Sequence, residues 1–264
     1  MLKEIIISVQ SYLQAHKFIM QNKLWKWILI PGLIYMLLFL AGIYLFWISS
    51  NQAVEFVLQE TGIRAWLESM KTGWLNFFVI VGHIIIFLVL LLFYFSFFKF
   101  LFLIIGSPLF AYLSEKTESI IEHKDFPFSW KQLMKDMIRG VYIASRNMIW
   151  QLVYLLSIFL LAFIPLFGWL APLIAFMIEC YYFGFSMLDY TSERKRLSAA
   201  ESINFIGRHK GLAIGNGMIF FLLHLIPLLG WLLAPSYAVI AATLSLKKLE
   251  NSTSIPHYIP PHHE

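Results

Sequence analysis

Three sets of residues in this 264-residue chain are equipped for chemistry. The first is Asn22-Lys23-Leu24-Trp25-Lys26, which stands where a long apolar run begins. The first N–H groups of a helix have no intrahelical acceptor and carry partial positive charge. A helix starting here would therefore offer an inorganic anion the amides of Lys23, Leu24, Trp25 and Lys26 together with two ammonium groups. The same lysines also fit a simpler role as headgroup anchors at the end of a spanning helix. The second set is ionisable groups inside apolar runs. Glu179 is the only carboxylate deep within one, where charge is expensive, so it has to be protonated or paired. It reads either as a proton-coupling group or as a neutral hydrogen-bonded tie between helices, and His83 and His224 carry the same two readings. The third set is the basic clusters Arg194-Lys195-Arg196 and Arg208-His209-Lys210, which either gather anions and anionic lipid or orient the chain.

Other constellations carry less. Glu115 and Glu118 at i, i+3 spacing describe a helix face, or partners for basic residues at a pore mouth. His257, His262 and His263 lie in a tail with nothing to set their geometry, so no metal site is expected. The lone Cys180 forms neither an intrachain disulfide nor a cysteine metal site. No P-loop, HExxH or GxSxG is present, so no enzyme activity and no cofactor are expected. The basic clusters are separated by an apparent helix, which argues against a nucleic-acid partner.

The elements that position these groups belong to a membrane protein. Hydrophobic residues make up 59% of the chain and charged residues 13%, and the mean hydropathy is +0.73. A soluble fold carries about a quarter charged residues and cannot hide this much apolar surface, so lipid has to be part of the solvent. Residues 1–22 read as an amphipathic helix, lying on the membrane surface or packed on protein. No cleavable signal peptide is expected, because no short apolar core with a small-residue cleavage site follows them. Residues 27–48 and 75–105 read as transmembrane helices, with Pro31 near the start of the first and Gly106-Ser107-Pro108 interrupting the second. Residues 109–146 read as helices outside the hydrocarbon, and 251–264 as a disordered tail. A single membrane domain over 1–250 is expected.

Two segments share one pattern. Ile164-Pro165-Leu166-Phe167-Gly168-Trp169 and Ile226-Pro227-Leu228-Leu229-Gly230-Trp231 each place a Pro-x-x-Gly turn between apolar arms, within 147–188 and 212–246. Proline removes a donor and glycine accepts positive φ, so each reads as the tip of a helical hairpin. Basic residues concentrate everywhere except 49–73, which puts both termini and both hairpin bases on the cytoplasmic side of the membrane. The arms of the second hairpin are short for a full span. The expected fold is thus an all-α integral membrane protein with two long transmembrane helices and two Pro/Gly-broken re-entrant, hemi-penetrating hairpins. Irregular backbone at membrane depth needs protein cover, which implies tight packing or a homo-oligomer.

Several stretches, in this order, resemble the CysZ-type sulfate permease family, grouped with etoposide-induced 2.4-like proteins. They are Lys26-Trp27-Ile28-Leu29-Ile30-Pro31, residues 107–118, Phe163-Ile164-Pro165 with Ala171-Pro172, Leu188-Asp189-Tyr190, and Ile226-Pro227-Leu228-Leu229 with Pro235. The resemblance covers about residues 10–246. It implies two long transmembrane helices, two hemi-penetrating hairpins, oligomeric assembly and sulfate uptake across the inner membrane. The family's Gly-Ile/Leu-Arg-Arg, associated with sulfate binding, reads Lys23-Leu24-Trp25-Lys26 here, and its Asp-Tyr-Pro reads Asp189-Tyr190-Thr191. A dianion entering a negative cell faces about 4.6 kcal/mol per 100 mV. Accumulation therefore calls for co-transported protons or another cation, or a channel feeding rapid consumption. The alternative outside transport is a membrane scaffold or lipid-shaping protein built from the same wedge-like hairpins.

Overall fold

A computed structural model describes residues 1–60, 74–123, 130–162, 170–195 and 197–253. Among them are eight α-helices: α1 (Leu2–Gln21), α2 (Trp25–Glu60), α3 (Trp74–Glu122), α4 (Trp130–Ala162), α5 (Ala171–Arg194), α6 (Ala199–Arg208), α7 (Lys210–His224) and α8 (Leu229–Thr253). Five stretches are long and apolar enough to cross a bilayer: Trp25–Ser49, Ser96–Glu122, Met137–Leu161, Ala171–Glu193 and Leu229–Asn251. The protein is therefore an all-helical, multi-pass membrane protein, with α7, at 15 residues, outside that set.

The chain forms two compact units, Met1–Met36 with Phe100–Glu264, and Leu37–Lys99. In the smaller, Tyr94 stacks obliquely between Phe46 and Phe98, and Phe98 fills the space over Gly42. In the larger, α7 is the central strut. Its Gly217 meets the Cys180 carbonyl of α5, and Gly184 of α5 meets the Ala213 carbonyl of α7, with no room for a Cβ at either place. Gly211 and Gly215 of α7 lie against Met1 and against Glu4, Ile5 and Ser8 of α1. Positions two apart on a helix face nearly opposite directions, so one short helix carries a glycine seam on each side. Without Cβ atoms, backbones approach closely enough for dispersion to hold apolar helices together where lipid gives no hydrophobic drive.

Several expectations need correction. The helix α3 runs unbroken through Pro108, and Pro31 lies inside α2 rather than in its first turn. A proline in an apolar helix is tolerated where neighbours satisfy nearby backbone groups. The hydroxyl of Tyr190 donates to the Leu103 carbonyl at 3.2 Å, and that of Ser236 to the Ile28 carbonyl at 3.2 Å. The helix α4 joins the polar stretch from Trp130 to the apolar arm ending at Ala162 as one 33-residue rod. At the second hairpin tip the left-handed residue is Leu228, with φ 62°, not Gly230. Gly230 belongs to the first turn of α8 and is needed for close approach, because a Cβ there would strike the Leu223 carbonyl. The first hairpin tip, residues 163–169, and the tail from residue 254, with His257, His262 and His263, lie outside the described residues.

Candidate anion site and the buried polar pairs

The turn from α1 to α2 is a compact chain reversal. The Leu24 N–H donates to the Ile19 carbonyl at 3.2 Å, while Lys23 takes φ 54°. A left-handed residue followed by that long backbone bond is the Schellman ending of a helix, and its usual apolar contact joins the two bonded residues. Here both Leu24 and Ile19 are buried. Asn22 closes the end of α1 by donating its side-chain amide to the Phe18 carbonyl at 2.8 Å. The Leu24 carbonyl then accepts from Trp27 and Ile28 at 3.0 and 3.2 Å, which starts α2.

This construction puts Lys23, Leu24, Trp25 and Lys26 together at one helix N-terminus. Lys23 and Lys26 are exposed, Trp25 is half-buried, and Leu24 is the plug that holds the turn. Trp27 packs on Tyr112 of α3 with ring centroids 4.7 Å apart, giving the site an aromatic wall. Lys23 occupies the left-handed position where the resembled family has glycine. In chemical terms the turn offers N–H groups, a helix dipole and two ammonium groups to a multivalent oxyanion.

Glu179 is buried on α5 and accepts a hydrogen bond from the Gln151 amide of α4. It belongs to a polar ladder between these antiparallel helices. Asn147 donates to Ser186 at 3.5 Å and accepts from Arg146 at 3.0 Å, and Ser186 donates to the Tyr182 carbonyl. At the base, Arg139 pairs with Asp189 at 3.0 Å and lies 3.8 Å from Glu193. Arg139 also donates to the Leu197 carbonyl, and Ser202 donates to Asp189, so this cluster ties α4 and α5 to the start of α6. From Arg139 to Gln151 the ladder climbs about 18 Å along α4.

His224 closes α7 at the second hairpin tip. Its Nδ1 lies 3.4 Å from the Tyr35 hydroxyl, its ring stacks on Phe220, and its carbonyl accepts from Trp231 Nε1 at 3.1 Å. Glu179 is thus held from α4 and His224 from α2, on different elements. His83 falls on α3, and its side chain lies outside the described residues. Glu122, on the helix that carries Glu115 and Glu118, pairs with Lys247 at 3.0 Å.

Sequence reasoning passes over Gln151, Asn147, Arg139 and Tyr35, and over a buried hydroxyl triangle of Ser114, Thr191 and Thr243 with edges of 3.0 to 3.4 Å. One signal is visible in retrospect. Asn147 and Gln151 sit four apart on α4, and Glu179 and Ser186 seven apart on α5, so each pair marks one helical face.

Residues 11–235 match the model of a family described as Sulfate transporter CysZ/Etoposide-induced protein 2.4. A protein named sulfate transporter CysZ from Pseudomonas fluorescens is 26% identical over 246 residues, spanning 90% of this chain and 92% of the relative. One of that name from Pseudomonas aeruginosa is 26% identical over 245 residues, covering 90% and 94%. Another, from Pseudomonas syringae pv. tomato, is 28% identical over 186 residues, covering 69% and 73%.

Proposed function

The chain belongs to the sulfate transporter CysZ/etoposide-induced protein 2.4 family, and from that premise we propose that it is a permease for sulfate uptake across the cytoplasmic membrane. The observation that carries this reading is the α1–α2 turn, which presents Lys23 and Lys26 at a helix N-terminus in a chain that matches the family from residue 11 to residue 235. A sulfate dianion is met there by the backbone amides of Trp25 and Lys26, by the positive end of α2 and by the two ammonium groups, while the Leu24 N–H stays bonded to the Ile19 carbonyl. Lysine acts on it as a point charge rather than as the planar fork of arginine, so binding is carried more by the amides.

The second hairpin, α7 with α8, dips into the bilayer and returns. Support comes from two facts. The 15 residues of α7 reach only about 23 Å, short of a hydrocarbon core of about 30 Å. The tip residues Leu225, Ile226, Leu228 and Leu229 are all more than half exposed or at half, an apolar cap suited to lipid rather than water. The first hairpin repeats the Pro-x-x-Gly sequence pattern, and on that pattern alone we read it as re-entrant too, although its arms Met137–Leu161 and Ala171–Glu193 are each long enough to cross. Both termini lie in the cytoplasm, and the assembly is a homo-oligomer that covers the broken backbone.

Charge balance asks for a coupling ion, and Glu179, His83 and His224 are its residues for protons. Glu179, with its Gln151 partner and the ladder below it, is the first to test. Labelled-sulfate uptake into proteoliposomes, with and without an inward proton gradient, decides the matter. Uptake that falls at least tenfold with Lys23→Ala/Lys26→Ala, while the protein stays folded, is the expected result. No uptake under either condition sinks the permease reading and leaves a scaffold.

A further inference from the structure

The helix α1 is amphipathic in the wrong sense for a helix packed on protein. It docks along α7 and α8 through a ladder of polar side chains at every fourth residue. Glu4 accepts from the Gly211 N–H at 3.0 Å and lies 2.8 Å from His209 Nδ1. Ser8 donates to the Leu212 carbonyl and Tyr12 to the Asn216 carbonyl, both at 2.9 Å. His16 meets the Tyr237 hydroxyl at 2.8 Å. Ser8, Ser11, Tyr12, Ala15 and Ile19 are buried in this seam. Burial holds the Tyr12 phenol well above its ordinary pKa, with Cys180 adding to the effect, so it remains a donor.

The large aliphatic residues of the same helix are left outside. Leu2 is 77% exposed, Leu13 68%, Met20 54% and Ile6 53%. At 100° per residue these four fall within an arc of about 40°, and Lys3, Gln10, Gln14 and Lys17 fall together about 60° to 120° away from Leu2. The docked residues occupy the remaining side. The helix therefore has three sectors, one for protein, one apolar and one polar with two exposed lysines.

We propose that α1 is an in-plane membrane helix, with its apolar sector seated at the acyl-chain boundary and Lys3 and Lys17 engaging anionic phospholipid headgroups. Two features favour lipid as the occupant. The apolar helix α2 begins just beyond the turn and likewise exposes large aliphatic side chains, Leu29, Ile30 and Leu33. The lysine edge also has the sign that anionic headgroups select, with its stems free to snorkel. Four side chains on one helix fall short of the roughly 800 Å² per partner that a stable protein interface uses. Because α1 ends at Gln21, two residues before Lys23, its depth also sets the level at which the anion site stands. That last point rests on the permease reading, whereas the lipid contact does not.

Spin labels at Leu13→Cys and Gln14→Cys, in full-length protein carrying Cys180→Ala, test this in vesicles of phosphatidylcholine with and without phosphatidylglycerol. Oxygen should dominate relaxation of the Leu13 label and an aqueous nickel chelate that of the Gln14 label. Phosphatidylglycerol should move the Leu13 label deeper, and Lys3→Gln/Lys17→Gln should remove that shift. Nickel-dominated relaxation at Leu13 overturns the proposal. So does dipolar broadening between Leu13 labels, which would put a second copy there. Loss of the lysine dependence overturns the headgroup contact. Sulfate uptake by the same vesicles is a separate readout, so failure of the permease reading would be seen independently.

Discussion

Gly217 lies against the Cys180 carbonyl so closely that a Cβ has no place, and Gly184 returns the same contact to Ala213. The two helices touch backbone to backbone at two points one turn apart. Such a contact cannot be rebuilt by turning a rotamer, because the obstructing atoms are main chain.

Gly217→Ala and Gly184→Ala should each destabilise the protein by about 1–3 kcal/mol through overpacking. Gly207→Ala, which has open space around it, should be neutral or gain up to about 1 kcal/mol from helix propensity. Thermal unfolding in detergent separates the three. A Gly217→Ala protein as stable as the wild type would show that α5 and α7 are not packed this tightly.

Arg139→Ala should be among the most damaging single changes, at about 3–5 kcal/mol. It removes the guanidinium from Asp189, whose side chain is only 3% exposed, and from Glu193, at 6%. The double change Arg139→Met/Asp189→Leu should recover part of the loss by removing the stranded charge. A double variant no better than the single one would mean that Asp189 is not the charge left stranded.

The base cluster and the polar ladder also show where the sequence is legible and where it is not. Helix existence, the membrane class and the second hairpin follow from hydropathy and from Pro227. The pairing of Gln151 with Glu179 does not, because it joins residues 28 apart through the register of two helices. The same limit applies to Arg139 and Asp189, 50 apart. Glycine accepts positive φ most freely, which points to Gly230 at the second tip, yet Leu228 carries the left-handed conformation. Pro108 reads as a break by local rules, yet the helix continues through it. At the candidate site, residue types were visible in sequence, whereas the buried Leu24–Ile19 plug that shapes the turn was not.

Lys23→Gly should separate stability from transport. A lysine at φ 54° carries a left-handed strain of about 1 kcal/mol that glycine does not. The variant should therefore unfold no earlier than the wild type, although it loses one of the two ammonium groups. Sulfate affinity should fall several-fold under the same conditions. Equal uptake by both proteins would place the anion elsewhere.

Glu179→Gln keeps the shape of the side chain and a hydrogen-bonding group for Gln151 while removing the proton site. Its melting temperature should stay within a few degrees of the wild type, and uptake should lose its response to a proton gradient. Gln151→Leu instead takes an amide partner from a buried carboxyl group, at a cost of about 1–3 kcal/mol. Gradient-dependent uptake that survives in Glu179→Gln removes this residue from any coupling role.

The twin glycine seams of α7 have a mechanical corollary. With main chain pressed on main chain toward α5, and Gly211 and Gly215 close against Met1, Glu4, Ile5 and Ser8, α1, α5 and α7 form one slab with little slack for sliding. Any rearrangement that opens a passage has to be taken up at the slab's ends. Two such ends carry bulky residues in left-handed backbone, Lys23 after α1 and Leu228 after α7. These are the positions where a hinge would act, since small rotations there swing whole helices while the interior stays locked.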